Sequence, residues 1–78
     1  MQPAIRVFVN SGVVDLPAGS AVAEAVRQFD PALGDRLSAG EAYVTDGRGI
    51  EVAPTDALSS GAIIRVVVRA KRGGNADA

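Results

Sequence analysis

The run Ile63-Ile64-Arg65-Val66-Val67-Val68-Arg69-Ala70, leading directly into Lys71-Arg72-Gly73-Gly74, narrows what this chain can become. β-branched side chains are stiff at χ1 and pack well on a pleated surface, so the run reads as a strand. A strand over residues 63–70 puts Ile64, Val66, Val68 and Ala70 on one face and Ile63, Arg65, Val67 and Arg69 on the other. One face is wholly apolar and the other mixes arginines with aliphatics, which predicts a sheet buried on one side and open to water or a partner on the other. After Ala70 nothing large remains to bury. Residues 1–70 therefore read as a single domain and residues 71–78 as a flexible tail carrying the diglycine.

The 78 residues lie near the lower size limit for one self-sufficient core. The chain contains neither cysteine nor histidine, which removes disulfides, thiolate or imidazole metal sites and nucleophile–histidine catalysis. The remaining carboxylates are scattered without metal-loop spacing, and the reading is a non-enzyme with no metal site and no stably bound cofactor. Seven arginines and one lysine against nine carboxylates leave a net charge of −1, which argues against a general attraction to nucleic acid or anionic membrane. Met1-Gln2-Pro3-Ala4 lacks the basic and apolar regions of a signal peptide, and no apolar run approaches membrane-spanning length. A cytoplasmic protein is the expectation.

Read from the amino end, Ala4-Ile5-Arg6-Val7-Phe8-Val9-Asn10 alternates, with Ile5, Val7 and Val9 toward a core and Arg6 and Phe8 away from it. Asn10-Ser11-Gly12 turns the chain into Val13-Val14-Asp15-Leu16, with Gly12 expected to hold any positive φ. Ser20 is expected to cap a helix over about Ala21 to Phe29, whose stripe of Val22, Ala25, Val26 and Phe29 faces the core with Phe29 as an anchor. On that assignment Glu24 falls one position late for a capping box. Asp30 caps a second start with Pro31 in the first turn, and Gly34 weakens the segment to a short helix or extended turn. Ala42 to Thr45 and Ile50 to Ala53 are short strands around the turn dipeptide Asp46-Gly47, and Leu58 plugs the core before Gly61 releases the last strand. Asp46-Gly47-Arg48-Gly49 lacks the lysine and hydroxyl residue of a phosphate loop, so it reads as a hairpin turn.

Four or five strands with one main helix make an α+β domain, and the two most apolar strands, Ile5 to Asn10 and Ile63 to Ala70, belong side by side and parallel, joined by the helical crossover. This is the β-grasp arrangement, a mixed sheet packed on one main helix. With Val13-Val14-Asp15-Leu16-Pro17-Ala18-Gly19-Ser20-Ala21-Val22, Leu58 through Gly61, and Arg72-Gly73-Gly74 in that order, residues 4–74 resemble the ubiquitin-like superfamily. The likeness is to its bacterial branch of sulfur carriers and ubiquitin-like modifiers.

The resemblance implies that Gly74 is adenylated by an ATP-using activating enzyme. Its carboxylate then becomes a thiocarboxylate that donates sulfur to an accepting enzyme, or a thioester that passes the protein, through a conjugating enzyme, to an amine of a target. Four residues, Asn75-Ala76-Asp77-Ala78, follow the diglycine, so the resemblance also implies trimming after Gly74 by a JAB-type zinc peptidase. Gly73 supplies clearance in a narrow channel. Arg69, Lys71 and Arg72 are the tail residues suited to carboxylates of a partner. On the non-core face Arg6, Phe8, Tyr43, Arg65 and Val67 form a candidate partner-binding surface of the kind found at protein interfaces. A trimmed precursor favours a modifier over a sulfur carrier. The competing reading is a non-covalent interaction module, in which Arg6, Arg65, Arg69, Lys71 and Arg72 beside Phe8 and Tyr43 form a basic stripe for RNA or a scaffold partner.

Overall fold

A computed structural model describes residues 3–69. The elements run β1 (Ala4–Val9), β2 (Gly12–Pro17), α1 (Val22–Phe29), α2 (Pro31–Ser38), β3 (Ala42–Asp46), β4 (Glu51–Val52) and β5 (Ile63–Val68). They form a two-layer α+β structure whose five-stranded sheet has the order β2-β1-β5-β3-β4. β1 and β5 are parallel neighbours, paired at Phe8 with Ile63 and Val9 with Ile64, and every other pairing is antiparallel. The expected parallel pairing of the two most apolar strands is therefore observed.

The β1–β2 connection is a two-residue turn in which Asn10 and Ser11 carry φ of 49° and 72°. Two consecutive positive φ values match the right-handed twist of a tight hairpin, and asparagine tolerates that region better than most residues. The positive-φ position expected at Gly12 thus falls on its two predecessors. Gly12 is required for another reason: a Cβ there would lie 2.5 Å from Cε1 of Phe29, so the aromatic ring of α1 rests on the bare strand. Phe29 itself is half-buried at the margin of the core, not its anchor.

α1 begins one residue later than its expected cap. Ser20 is buried and its hydroxyl donates to the Pro17 carbonyl at 2.7 Å, so it belongs to the preceding turn. Ala21 is the cap, and its lack of a side-chain acceptor is offset from elsewhere in the chain: the amides of Val22 and Ala23 donate to the carbonyls of Asp56 and Pro54, both at 2.9 Å. Glu24 is then the third helical residue, and its carboxylate accepts from the Ala21 amide at 3.0 Å, half of a capping box.

Asp30 joins the two helices. Its amide donates to Val26 O at 2.9 Å, closing α1, while its carboxylate accepts from the Ala32 amide at 3.0 Å, opening α2. α2 is a regular helix despite Gly34, and the absent side chain is what lets the helices meet: a Cβ at Gly34 would sit 3.0 Å from Cα and Cβ of Arg27. The layer over the sheet therefore holds two helices of equal length, where one main helix beside a short helix or extended turn was expected.

Val7, Val9, Val22, Val26 and Val44 are the largest side chains sealed from solvent, with Leu16, Ile64, Leu37 and Leu58 closing the core around them. Burial of each such aliphatic side chain stabilises by about 1.5–3 kcal/mol. Val68, expected on this core face, is 42 % exposed, and the pairing of β5 with β1 has already ended at Ile64.

Candidate functional site

The sheet surface opposite the helices carries the side chains of chemical interest. Phe8 pairs with Val13 on β2 and Ile63 on β5, making an apolar row across three strands in which Val13 and Ile63 are each 56 % exposed. One step along β5, Arg65 is registered with Thr45, and a further step brings Val67 opposite Tyr43. Thr45 is buried although it lies on this outer face, flanked in register by Arg65 on one side and Glu51 on the other.

Alternation puts Arg6, Phe8, Tyr43, Arg65 and Val67 on one face, and the strand phases agree. Their grouping is different. Arg6 precedes Phe8 by two residues and Arg65 follows Ile63 by two, so with Phe8 opposite Ile63 the two arginines are offset along the strands by about 13 Å. Arg6 is also engaged: its Nε donates to Asp15 Oδ1 at 3.0 Å across the hairpin, and that hydrogen bond, reinforced by the carboxylate charge, raises the guanidinium pKa. Tyr43, Arg65 and Val67 make one end of the face, Phe8 lies in its middle, and Arg6 stands at the other end.

Arg69 joins the first of these groups. Its backbone amide donates to Glu41 O at 2.8 Å, its Nε donates to Gly40 O at 3.2 Å, and its guanidinium carbon lies 4.8 Å above the Tyr43 ring. Gly40 has a φ of 79° and follows the last residues of α2, where the Gly40 amide returns to Leu37 O and the Glu41 amide to Arg36 O. That pair of bonds is a Schellman close, which needs a residue without Cβ at the left-handed position. It leaves the Gly40 carbonyl at the negative end of a helix dipole, a favourable neighbour for a cation. Arg69 is thus a clasp that fastens the end of β5 to the α2–β3 junction and to Tyr43, with the cation stacked on the ring. Expected as an arm for partner carboxylates, its guanidinium is already held within the described structure.

Arg65 is different: among the described residues it has no carboxylate partner. It borders a shallow outer-face depression whose other walls are Phe8, Asn10, Ser11, Ile63 and Ile64. Val13, Thr45 and Ile63 were not singled out in the sequence, although alternation already put Ile63 on this face. The Tyr43–Arg69 stack and the Gly40 contact depend on β3 and β5 register, which no local pattern contains. Gly73, Gly74, Lys71 and Arg72 lie outside the described residues.

No family model, curated protein or solved structure matches the chain. No helix among the described residues is long and apolar enough to cross a membrane. Among the described residues the outer face presents exposed aliphatics, two aromatic rings and an arginine without a carboxylate partner, a surface suited to recognition.

Proposed function

We propose that the chain is a β-grasp, ubiquitin-like modifier precursor, trimmed after Gly74 and then activated at that glycine. The observation that carries this reading is the course of β5. It runs through the centre of the sheet parallel to β1 and ends at Val68, and the next residue, Arg69, is clasped to Gly40, Glu41 and Tyr43 four residues before Gly73. A rigid strand leading to a diglycine supports a role in which a partner grips the body while the terminus reacts.

In the proposed reaction the Gly74 carboxylate, exposed by hydrolysis of the Gly74–Asn75 bond, attacks the α-phosphate of ATP on an activating enzyme. Pyrophosphate leaves and an acyl-adenylate forms. A partner thiol displaces AMP to give a thioester, and a target amine displaces that thiol, leaving an amide. The outer face around Arg65, Tyr43 and Val67 serves as the docking surface for the activating enzyme, with Phe8 and Ile63 supplying apolar area. The chain contributes no catalytic group to any of these steps.

The test uses the activating enzyme from the same organism with ATP, the full chain, a chain ending at Gly74, and that shorter chain carrying Gly74→Ala. Pyrophosphate release is expected from the chain ending at Gly74. The Gly74→Ala form is expected to fold identically and to react at least about a hundredfold more slowly, roughly 2.7 kcal/mol of activation free energy. Equal turnover by the alanine form would overturn the assignment of the reacting carboxylate. Formation of a thiocarboxylate without transfer to a protein would replace the modifier with a sulfur carrier.

A further inference from the structure

β5 is staggered past the end of the strand beside it. Parallel pairing with β1 ends at Val9 and Ile64, where Asn10 turns the chain away into the hairpin. The Asn10 amide still donates to Ile64 O at 3.1 Å, and its side-chain Oδ1 then accepts from the Val66 amide at 2.9 Å, continuing the ladder by one bond with a side chain. Beyond that point the ladder stops. The amides and carbonyls of Arg65, Val67 and Arg69 are directed to β3, as the Arg69 to Glu41 bond indicates, so those of Val66 and Val68 are directed to the β1 side. Among the described residues, neither the Val66 carbonyl nor the Val68 amide and carbonyl has a hydrogen-bond partner there. The exposure of Val68 marks the same opening from the helix side.

We infer that this free edge of β5, above the Asn10-Ser11 turn, is a docking site for an extended, acidic segment of a partner protein. The segment adds to the sheet along the line that β1 vacates. An extended peptide satisfies the orphaned groups of Val66 and Val68 by main-chain bonds, while its alternate side chains fall on the outer face. There they meet Arg65, which among the described residues lacks a carboxylate partner, the half-buried Val67, and the Arg69–Tyr43 stack. Charge complementarity selects a carboxylate beside Arg65 and an aliphatic group beside Val67. The site shares Arg65, Val67 and Tyr43 with the docking face proposed above, but it uses no group at Gly74 and is tested without any reaction there.

The probe is a ten-residue peptide alternating glutamate and valine, added to the isotopically labelled full chain, with amide hydrogen exchange read residue by residue. The Val68 amide is expected to exchange about tenfold more slowly on saturation, while Val13 and Asp15 on the opposite sheet edge keep their rates. Arg65→Glu is expected to weaken the peptide about tenfold, the scale of a charge-assisted contact, without shifting the melting temperature. Val68→Pro removes the free donor of this edge, and is expected to abolish binding. If that variant fails to fold, Arg65→Glu decides alone. Protection at Val13 in place of Val68, equal binding of a lysine–valine peptide, or protection of Val68 by self-association without peptide would each overturn the proposal.

Discussion

Asn10 combines two demands at one residue. Its backbone adopts a left-handed conformation, and its side chain accepts from Val66, 56 positions away in the chain. Replacement by alanine keeps neither the tolerance for that φ nor the acceptor. It is expected to cost about 2 kcal/mol, roughly half from the backbone and half from the lost bond. Asn10→Gly removes the backbone part and should recover about 1 kcal/mol of that loss, although the added freedom of glycine in the unfolded chain trims the recovery. Urea denaturation of the three proteins measures the difference, and equal stability of Asn10→Ala and the parent would contradict the role of the side chain.

Gly12 is the converse case, a glycine retained for space and not for φ. Gly12→Ala drives a methyl group into the Phe29 ring and is expected to destabilise by about 1–3 kcal/mol. Combining it with Phe29→Leu should return part of that loss, so a thermodynamic cycle on the pair gives a coupling that a purely local effect at Gly12 would not. The sequence announced the turn at residues 10–12 through its composition. It did not distribute the tasks within it, because Gly12 meets Phe29 only after α1 has docked on the sheet.

At the scale of elements, the strands were readable from alternation, α1 from its apolar spacing and the start of α2 from Asp30-Pro31, while the end of α1 nearest Ser20 was set by partners far along the chain. α1 starts at Val22 because Pro54 and Asp56 supply acceptors for its first amides, and no pattern around Ser20 contains that information. Gly34 argued against a regular α2 by propensity, and packing against Arg27 outweighed it. The β3–β4 connection shows how a short element is held. The Asp46 carboxylate accepts from the amides of Arg48 at 2.8 Å and Ile50 at 3.1 Å, and the loop closes with Gly49 at a φ of 85°.

Those contacts set a pH dependence. The Ile50 amide first, and the Arg48 amide next, hold the Asp46 pKa below its ordinary value of 3.8. A carboxyl whose pKa is lower when folded stabilises the fold above its unfolded pKa, and that stabilisation disappears as the pH falls through the folded value. The melting temperature of the parent should therefore exceed that of Asp46→Asn near neutrality, with the gap closing below about pH 4. A gap that stays constant down to pH 2 would remove Asp46 from the stability of this connection.

Across the whole molecule, the outer face, the β5 edge and the clasp at Arg69 converge on the end where the described chain stops. The general α+β class and the central parallel pair followed from the valine-rich strands and the helical crossover between them. The candidate face was legible as a face, since alternation assigns every strand residue to one side. Its internal arrangement was not, because strand offset separates Arg6 from Arg65 and brings Arg69 over Tyr43. The proposed modifier function requires Gly74 to become a terminus.

The intact mass of the protein isolated without an added tag from its own host tests that most directly. A species ending at Gly74, free or joined through an amide to a target protein, is the predicted result. A protein that retains Asn75-Ala76-Asp77-Ala78 under every growth condition would contradict it.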